Sequence, residues 1–156
     1  MSNKKLTYLI GYPGSGKSTA MKSLLYGPFA RESKPFKHII YKSGAVQIGD
    51  IREEYSGTDA LPMNVQPVVI EWLRETEYKN IYAEGDRLGN DKFFRAVLEA
   101  GFELDIILID ITELGARYRV VQRSGREFND AWFRGRLTKV DNLRKNWRKY
   151  IKVVDS

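Results

Sequence analysis

A parallel β-sheet covered by helices on both faces is the fold class this sequence predicts, and three observations predict it. Short apolar runs alternate with helix-length segments from one end of the chain to the other. The first run, Leu6 to Ile10, leads through a glycine-rich turn directly into a helix. The strongest run, Leu104 to Ile111, is apolar on both faces of a strand, as a buried parallel strand requires. A chain of 156 residues suits one compact domain with a single core.

The elements follow in order. Leu6 to Ile10 is a buried strand, Gly11 to Gly16 a turn, and Lys17 to Leu25 a helix stopped near Gly27-Pro28. His38 to Tyr41 is a second strand, followed by a polar, glycine-bearing stretch from Ser43 to Pro62. Val65 to Glu75 reads as a helix capped by Asn64, with Pro67 tolerated in its first turn. Asn80 to Glu84 is a third strand. Asp91 to Ala100 is a helix capped by Asn90 and stopped by Gly101. After the Leu104 to Ile111 strand, Thr112 caps a helix reaching about Gln122. A last helix covers roughly 130–150, and Ile151 to Val154 adds a final strand. The whole of 1–156 reads as one domain.

Composition narrows the class. No apolar run approaches the ~20 residues needed to span a bilayer, and the polar start, Met1 to Lys5, does not read as a signal peptide. There is no cysteine, so disulfides and thiolate metal sites are excluded and a cytoplasmic setting is expected. Net charge is +6, yet the segment from Arg134 to Lys152 alone carries +7. The remainder sums to −1, so the basic character is a local, C-terminal property.

Gly11-Tyr12-Pro13-Gly14-Ser15-Gly16-Lys17-Ser18 fits G-x-x-x-x-G-K-[ST] at every fixed position, between a strand and a helix as that motif requires. Its glycines let backbone N–H groups converge on phosphates, and the helix N-terminus adds positive potential. ATP is therefore expected on Gly11, Pro13, Gly14, Ser15, Gly16, Lys17, Ser18 and Thr19. Lys17 would reach the β- and γ-phosphates, Ser18 would hold Mg²⁺, and Thr19 would lie near the α-phosphate. Such contacts are to phosphates and do not separate ATP from GTP.

Two strands end in acids, at Glu84-Gly85-Asp86-Arg87 and at Asp110. Asp110 leads through Thr112 into a helix with Arg119 and Arg123 one turn apart. This resembles the strand, cap and arginine-bearing lid helix of adenylate-kinase-like enzymes. The resemblance implies a three-layer P-loop NTPase sandwich with a parallel sheet of about five strands and a lid over about 119–132. Asp110 is then a strand-end residue, and Glu84 becomes the candidate for the Mg²⁺ site. Asp86 and Arg87 become candidate substrate contacts. Arg123 and Arg126 are the expected catalytic arginines of the lid, since transferred phosphoryl groups develop charge on non-bridging oxygens.

On a wheel of 100° per residue, Phe133, Leu137, Val140, Leu143, Trp147 and Tyr150 share one face of the last helix. Arg134, Lys145, Arg148, Lys149 and Lys152 cluster on the other. A stripe of cations suits either a nucleic-acid backbone or plain solvation. Lys145, Arg148 and Lys149 are the candidate DNA-backbone contacts. Arg136 falls among the apolar positions, where a charge must be paired or must point into a site, so it is a candidate phosphate or substrate contact.

The stretches from Gly57 to Pro67, from Glu84 to Leu88 and from Gly135 to Lys139 (GRLTK) resemble a family of small bacteriophage P-loop kinases. That family includes the 5-hydroxymethyluracil DNA kinases, and the likeness runs from Leu6 to about Trp147. It implies a substrate hydroxyl carried on DNA, with Thr58 among the residues near the substrate. Tyr55, Trp132 and Phe133 are the aromatics available to stack on an extruded base. The base that accepts the acceptor's proton is expected to be a carboxylate, because the lone histidine, His38, opens a strand between lysines. Asp59 is the choice and Asp50 its nearest competitor. Three function classes are carried forward: a kinase acting on modified DNA, a kinase of a free nucleoside or nucleotide, and a nucleotide-binding module without an acceptor. No membrane or protein partner is inferred.

Overall fold

A computed structural model describes residues 3–51, 56–124 and 129–155. Its centre is the strand β1 (Lys5–Gly11), buried from Leu6 onward. β1 pairs in parallel with β7 (Asn80–Glu84) on one side and β8 (Glu103–Asp110) on the other. β4 (Val46–Ile48) extends the parallel sheet beyond β7, and β9 (Ile151–Asp155) extends it beyond β8. Five strands are thus parallel, in the order β4-β7-β1-β8-β9.

The sheet then departs from expectation. β3 (His38–Tyr41) pairs antiparallel with β4, and β2 (Phe29–Glu32) pairs antiparallel with β3, giving a mixed sheet of seven strands among the described residues. Two further short strands, β5 (Asp50–Ile51) and β6 (Ser56–Gly57), form a separate antiparallel pair. The second parallel position therefore belongs to β4, inside a stretch read as polar loop, and not to His38–Tyr41. Only three residues long, β4 shows no period to read. All four residues of β2 are exposed, so its pairing left no burial pattern in the sequence.

The helices are α1 (Lys17–Leu24), α2 (Gln66–Glu75), α3 (Asp91–Glu99), α4 (Glu113–Ser124) and α5 (Asp130–Asn146). Alternation along β1 divides the core. Leu6, Tyr8 and Ile10 face a large cluster with α2, α3 and the C-terminal half of α5, where Phe93, Phe94, Leu143 and Trp147 pack. Leu9 faces the other side, against Met21 and Leu25 of α1 and its turn. Helices cover both sides, so three layers form, as predicted. Ala116, Phe133 and Leu137 make a smaller cluster that joins α4 to α5.

Two helix ends differ from the reading. α2 begins at Gln66 with Pro67 in its first turn, but the residue before it is Val65 and no side chain caps it. Asn64 lies a residue too early for that role. α5 stops at Asn146, and Arg148–Tyr150 forms a separate 3-10 turn that aims the chain into β9. His38 is buried between Phe36 and Trp72, with its Nδ1 2.8 Å from the Phe36 carbonyl, a packed position within the core. No helix of the described residues is long and apolar enough to cross a membrane.

Candidate active site

Parallel strands ending at one edge leave a crevice there, and ligands of open α/β sheets collect in it. Here the crevice is a cavity of about 720 Å³. Its floor is the loop that leaves β1, from Gly11 to Thr19. Gly14 and Gly16 have positive φ, 80° and 98°, which let the backbone turn tightly from β1 into α1. Lys17 arches back over this loop, its Nζ donating to the carbonyls of Gly11 (3.1 Å) and Tyr12 (3.4 Å). Burial pulls the Lys17 ammonium below its ordinary lysine value, although Glu84 and Asp59 oppose that shift. A half-buried cation whose hydrogen bonds among the described residues go to loop carbonyls is poised to exchange them for an anion.

The second wall comes from the end of β7. Ser18 Oγ donates to Glu84 Oε1 at 3.2 Å, so the hydroxyl and a buried carboxylate converge beside Lys17. Mg²⁺ is commonly held by one or two carboxylates together with substrate phosphates and water, and this pair fits such an ion. Glu84 can sit there because Gly57, at φ +61°, passes directly over it. A Cβ on Gly57 would collide with the Glu84 carboxylate and its backbone carbonyl. Gly57→Ala should therefore lower the melting temperature by ~4 °C or more, from the ~1–2 kcal/mol of left-handed strain alone. It should also weaken Mg²⁺-dependent nucleotide binding. A thermal scan with and without nucleotide checks both.

Beyond Glu84, Tyr8 Oη donates to the Gly85 carbonyl at 2.6 Å and lies 3.4 Å from Thr58 Oγ1. Burial raises the Tyr8 phenol far above its ordinary value, so it remains a neutral donor. This buried strut holds the Thr58–Ala60 turn against the end of β7. Asp59 is the exposed tip of that turn, and its Oδ1 accepts from the Asp86 N–H at 3.0 Å. Asp59, Glu84 and Asp86 all line the cavity.

α4 forms the roof on the phosphate-loop side. A Cβ on Gly14 would lie 3.1 Å from both the Ala116 carbonyl and Arg119 Cβ, which shows how closely this helix approaches the loop. Arg119 donates to the carbonyls of Gly14 (3.3 Å) and Ser15 (3.4 Å). One turn on, Arg123 also lines the cavity and depresses Lys17 electrostatically. Arg126 lies outside the described residues, as does Tyr55.

α5 closes the remaining side. Arg136 pairs with the Asp86 carboxylate and lies over the Trp132 ring, 5.6 Å from its centroid. Lys139 reaches the same acid, with Nζ 2.9 Å from the Asp86 carbonyl and 3.4 Å from Oδ1. Tyr12 pins the phosphate loop to this helix by donating to Asp141 Oδ1 at 2.6 Å. Burial, helped by that acid, pushes the Tyr12 phenol up to about 12. Phe133 is fully buried in the α4–α5 cluster, so it is a core residue and not a stacking surface. Trp132, its neighbour, is 45% exposed and lines the cavity.

The fold thus gathers Gly11, Pro13, Gly14 and Gly16 to Thr19 with Asp59, Glu84, Asp86, Arg119, Arg123, Trp132 and Arg136 around one space, while Ser15, expected there, is buried and outside the lining. It does not bring Arg87 or Thr58 to the cavity wall. Arg87 Nε donates to the Leu61 carbonyl at 3.1 Å, and Thr58 is fully buried beneath Gly85. Both hold the turn that carries Asp59. Asp50 is buried in β5, bonded to Arg31 Nε (3.2 Å) and the Ile51 N–H (2.8 Å), and is not part of the cavity lining. Lys145 lies nine residues beyond Arg136 on α5, about 13 Å along its axis. Lys139, beside the site through its contact with Asp86, is a residue that sequence reasoning passed over. Its signal was its place one helical turn after Arg136.

A family model for P-loop nucleotide kinases, P-loop Nucleotide Kinase3, matches residues 2–153. The chain belongs to that family. Among solved structures, this nucleotide-kinase family member is similar to a gluconokinase from Sinorhizobium meliloti 1021. The TM-score is 0.56 at 12% identity, over 99% of this chain and 84% of that one. At such identity the likeness speaks for the fold, an α/β P-loop kinase fold. No curated protein matches the chain significantly.

Proposed function

We propose that this P-loop kinase transfers the γ-phosphoryl group of ATP to the hydroxymethyl group of 5-hydroxymethyluracil carried on DNA. The observation that carries the reading is Trp132, a half-exposed indole at the mouth of the phosphate cavity, backed by the Arg136 guanidinium. An aromatic face at that place offers a stacking platform for an unstacked base. The sequence resemblance supplies the identity of the base.

In this reading the loop from Gly11 to Thr19 holds the triphosphate, and Lys17, Arg119 and Arg123 balance its charge. Mg²⁺, held at Ser18 and Glu84, would neutralise charge developing between the β- and γ-phosphates. Asp59 takes the proton of the acceptor hydroxyl as its oxygen bonds to the γ-phosphorus and the bond to the β-bridging oxygen breaks. Asp86 is the weaker candidate for that role, because Arg136 and Lys139 already neutralise it. It positions these cations instead. Arg126 remains a candidate lid arginine, and Lys145, Arg148 and Lys149 remain the candidate contacts to the DNA backbone.

The test is transfer of labelled γ-phosphate from ATP in three parallel reactions. The acceptors are DNA containing 5-hydroxymethyluracil, the same DNA with thymine, and free 5-hydroxymethyldeoxyuridine with its monophosphate. Label on the modified DNA alone is the expected result. Trp132→Ala should then raise KM for that DNA by roughly 5- to 150-fold, matching the ~1–3 kcal/mol of a base–aromatic stack, with KM for ATP little changed. A second reading, a kinase of free nucleosides or nucleotides, draws on the family's description as nucleotide kinases. Label on the monomers alone would establish it in place of the first.

A further inference from the structure

Beside the phosphate cavity lies a second, open depression of about 350 Å³ between α5 and the segment that begins α3. Lys139 belongs to its wall and also touches Asp86, so the two spaces adjoin. Along α5 it is lined by Gly135, Thr138, Asn142 and Asn146, and opposite them by Gly89 and Asn90. At 100° per residue the four α5 positions fall within an 80° stripe, and the acids Asp130 and Asp141 lie outside it. The absence of a side chain on Gly135 leaves the end nearest Trp132 open, with nothing within 4 Å of where a Cβ would stand.

Two features of this stripe bear on what it can bind. The Asn142 and Asn146 side chains make no hydrogen bond among the described residues, although both line the depression. The cations of this region divide into two groups. Arg134 pairs with Asp130, Arg144 with Asp110 and Lys152 with Asp105. Lys145, Arg148 and Lys149, at the far end of the stripe, have no acidic partner among the described residues. The acid in the wall, Asp91, accepts from Trp147 Nε1 at 2.6 Å.

We infer that this groove is the track for one strand of a polynucleotide, entering at Trp132 and leaving over Lys145, Arg148 and Lys149. The inference rests on the DNA reading above and adds the path. From Gly135 to Asn146 the helix rises about 17 Å, long enough for more than one phosphate of a strand to lie along it. Amide side chains suit a backbone bound without sequence preference, since they can donate to phosphate and sugar oxygens. The unpaired cations supply attraction where the strand leaves the groove.

The experiment measures binding of a single-stranded oligonucleotide over a range of salt, for wild type and two variants. Asn142→Glu/Asn146→Glu places two charges in the groove and should weaken binding at least about tenfold. Charge reversal at Lys145, Arg148 and Lys149 should reduce the slope of log affinity against log salt by about 2, near 0.7 for each lost phosphate contact. ATP affinity and melting temperature report that both variants are folded. Wild-type binding by the Asn142/Asn146 variant overturns the track, even where modified DNA is phosphorylated. A polyglutamate chain that binds as tightly, with the same sensitivity to both variants, also overturns it and makes the groove a site for acidic protein. Phosphorylation of monomers with no oligonucleotide binding at low salt overturns the track and the DNA reading together.

Discussion

Lys17→Ala should reduce phosphoryl transfer by about a thousandfold or more, a loss of roughly 4 kcal/mol of transition-state stabilisation. The expectation rests on how Lys17 is held. It is a half-buried cation whose hydrogen bonds among the described residues go to two loop carbonyls, and desolvation already weakens its hold on its proton. An anion in the loop would add to the partial offset that Glu84 and Asp59 already give. The side chain should therefore bind phosphates in exchange for the carbonyls, and most tightly when charge accumulates during transfer. Stability should respond much less than activity, because removing the cation also removes its desolvation penalty. Lys17→Arg should not rescue transfer, since a planar fork cannot occupy the place of a compact ammonium. Steady-state kinetics beside a thermal scan separates these effects. Near-normal turnover by Lys17→Ala would refute the phosphate-cradle account.

Asp59→Asn should keep ATP binding and lose turnover, by roughly 10²- to 10⁴-fold if Asp59 is the general base. The substitution is well matched to the question. Asparagine retains a carbonyl oxygen to accept from the Asp86 N–H, so the turn tip should stay in place while its basicity disappears. Asp86→Asn provides the contrast. It removes the charge that gathers Arg136 and Lys139, so its main effect should be on KM for the acceptor, with a smaller one on kcat. Isothermal titration with ATP, followed by single-turnover transfer, distinguishes the two. Unchanged turnover in Asp59→Asn with unchanged ATP affinity would take Asp59 out of the role of base.

Much of this protein was legible without coordinates, and the reason is the range of the forces involved. The phosphate loop is a contiguous motif whose glycines, lysine and serine act within one strand-to-helix turn. The five parallel strands needed only periodicity for four of them, because each of those is an apolar run long enough to read. The helices followed from amphipathic spacing, with Asn90 and Thr112 caps that the structure bears out. What local pattern could not decide was anything settled by pairing at a distance. β2 has no buried residue, and β4 is held by its neighbours more than by its own three residues. The place of Asp59 depends on Tyr8, fifty-one residues earlier, bracing Thr58 and Gly85 from below. Asp86 meets Arg136 and Lys139 only because α5 folds back across the strand ends. Arg87 and Asp50, equally charged and equally plausible on paper, are turned into the scaffold by a carbonyl and an arginine that no spacing rule reveals. Residue type and short-range order determined that a P-loop would form here, between β1 and α1. Which carboxylates face it, and which aromatic stands at its mouth, was decided by packing between elements far apart in the chain, since burial and ion pairing are properties of the assembled fold.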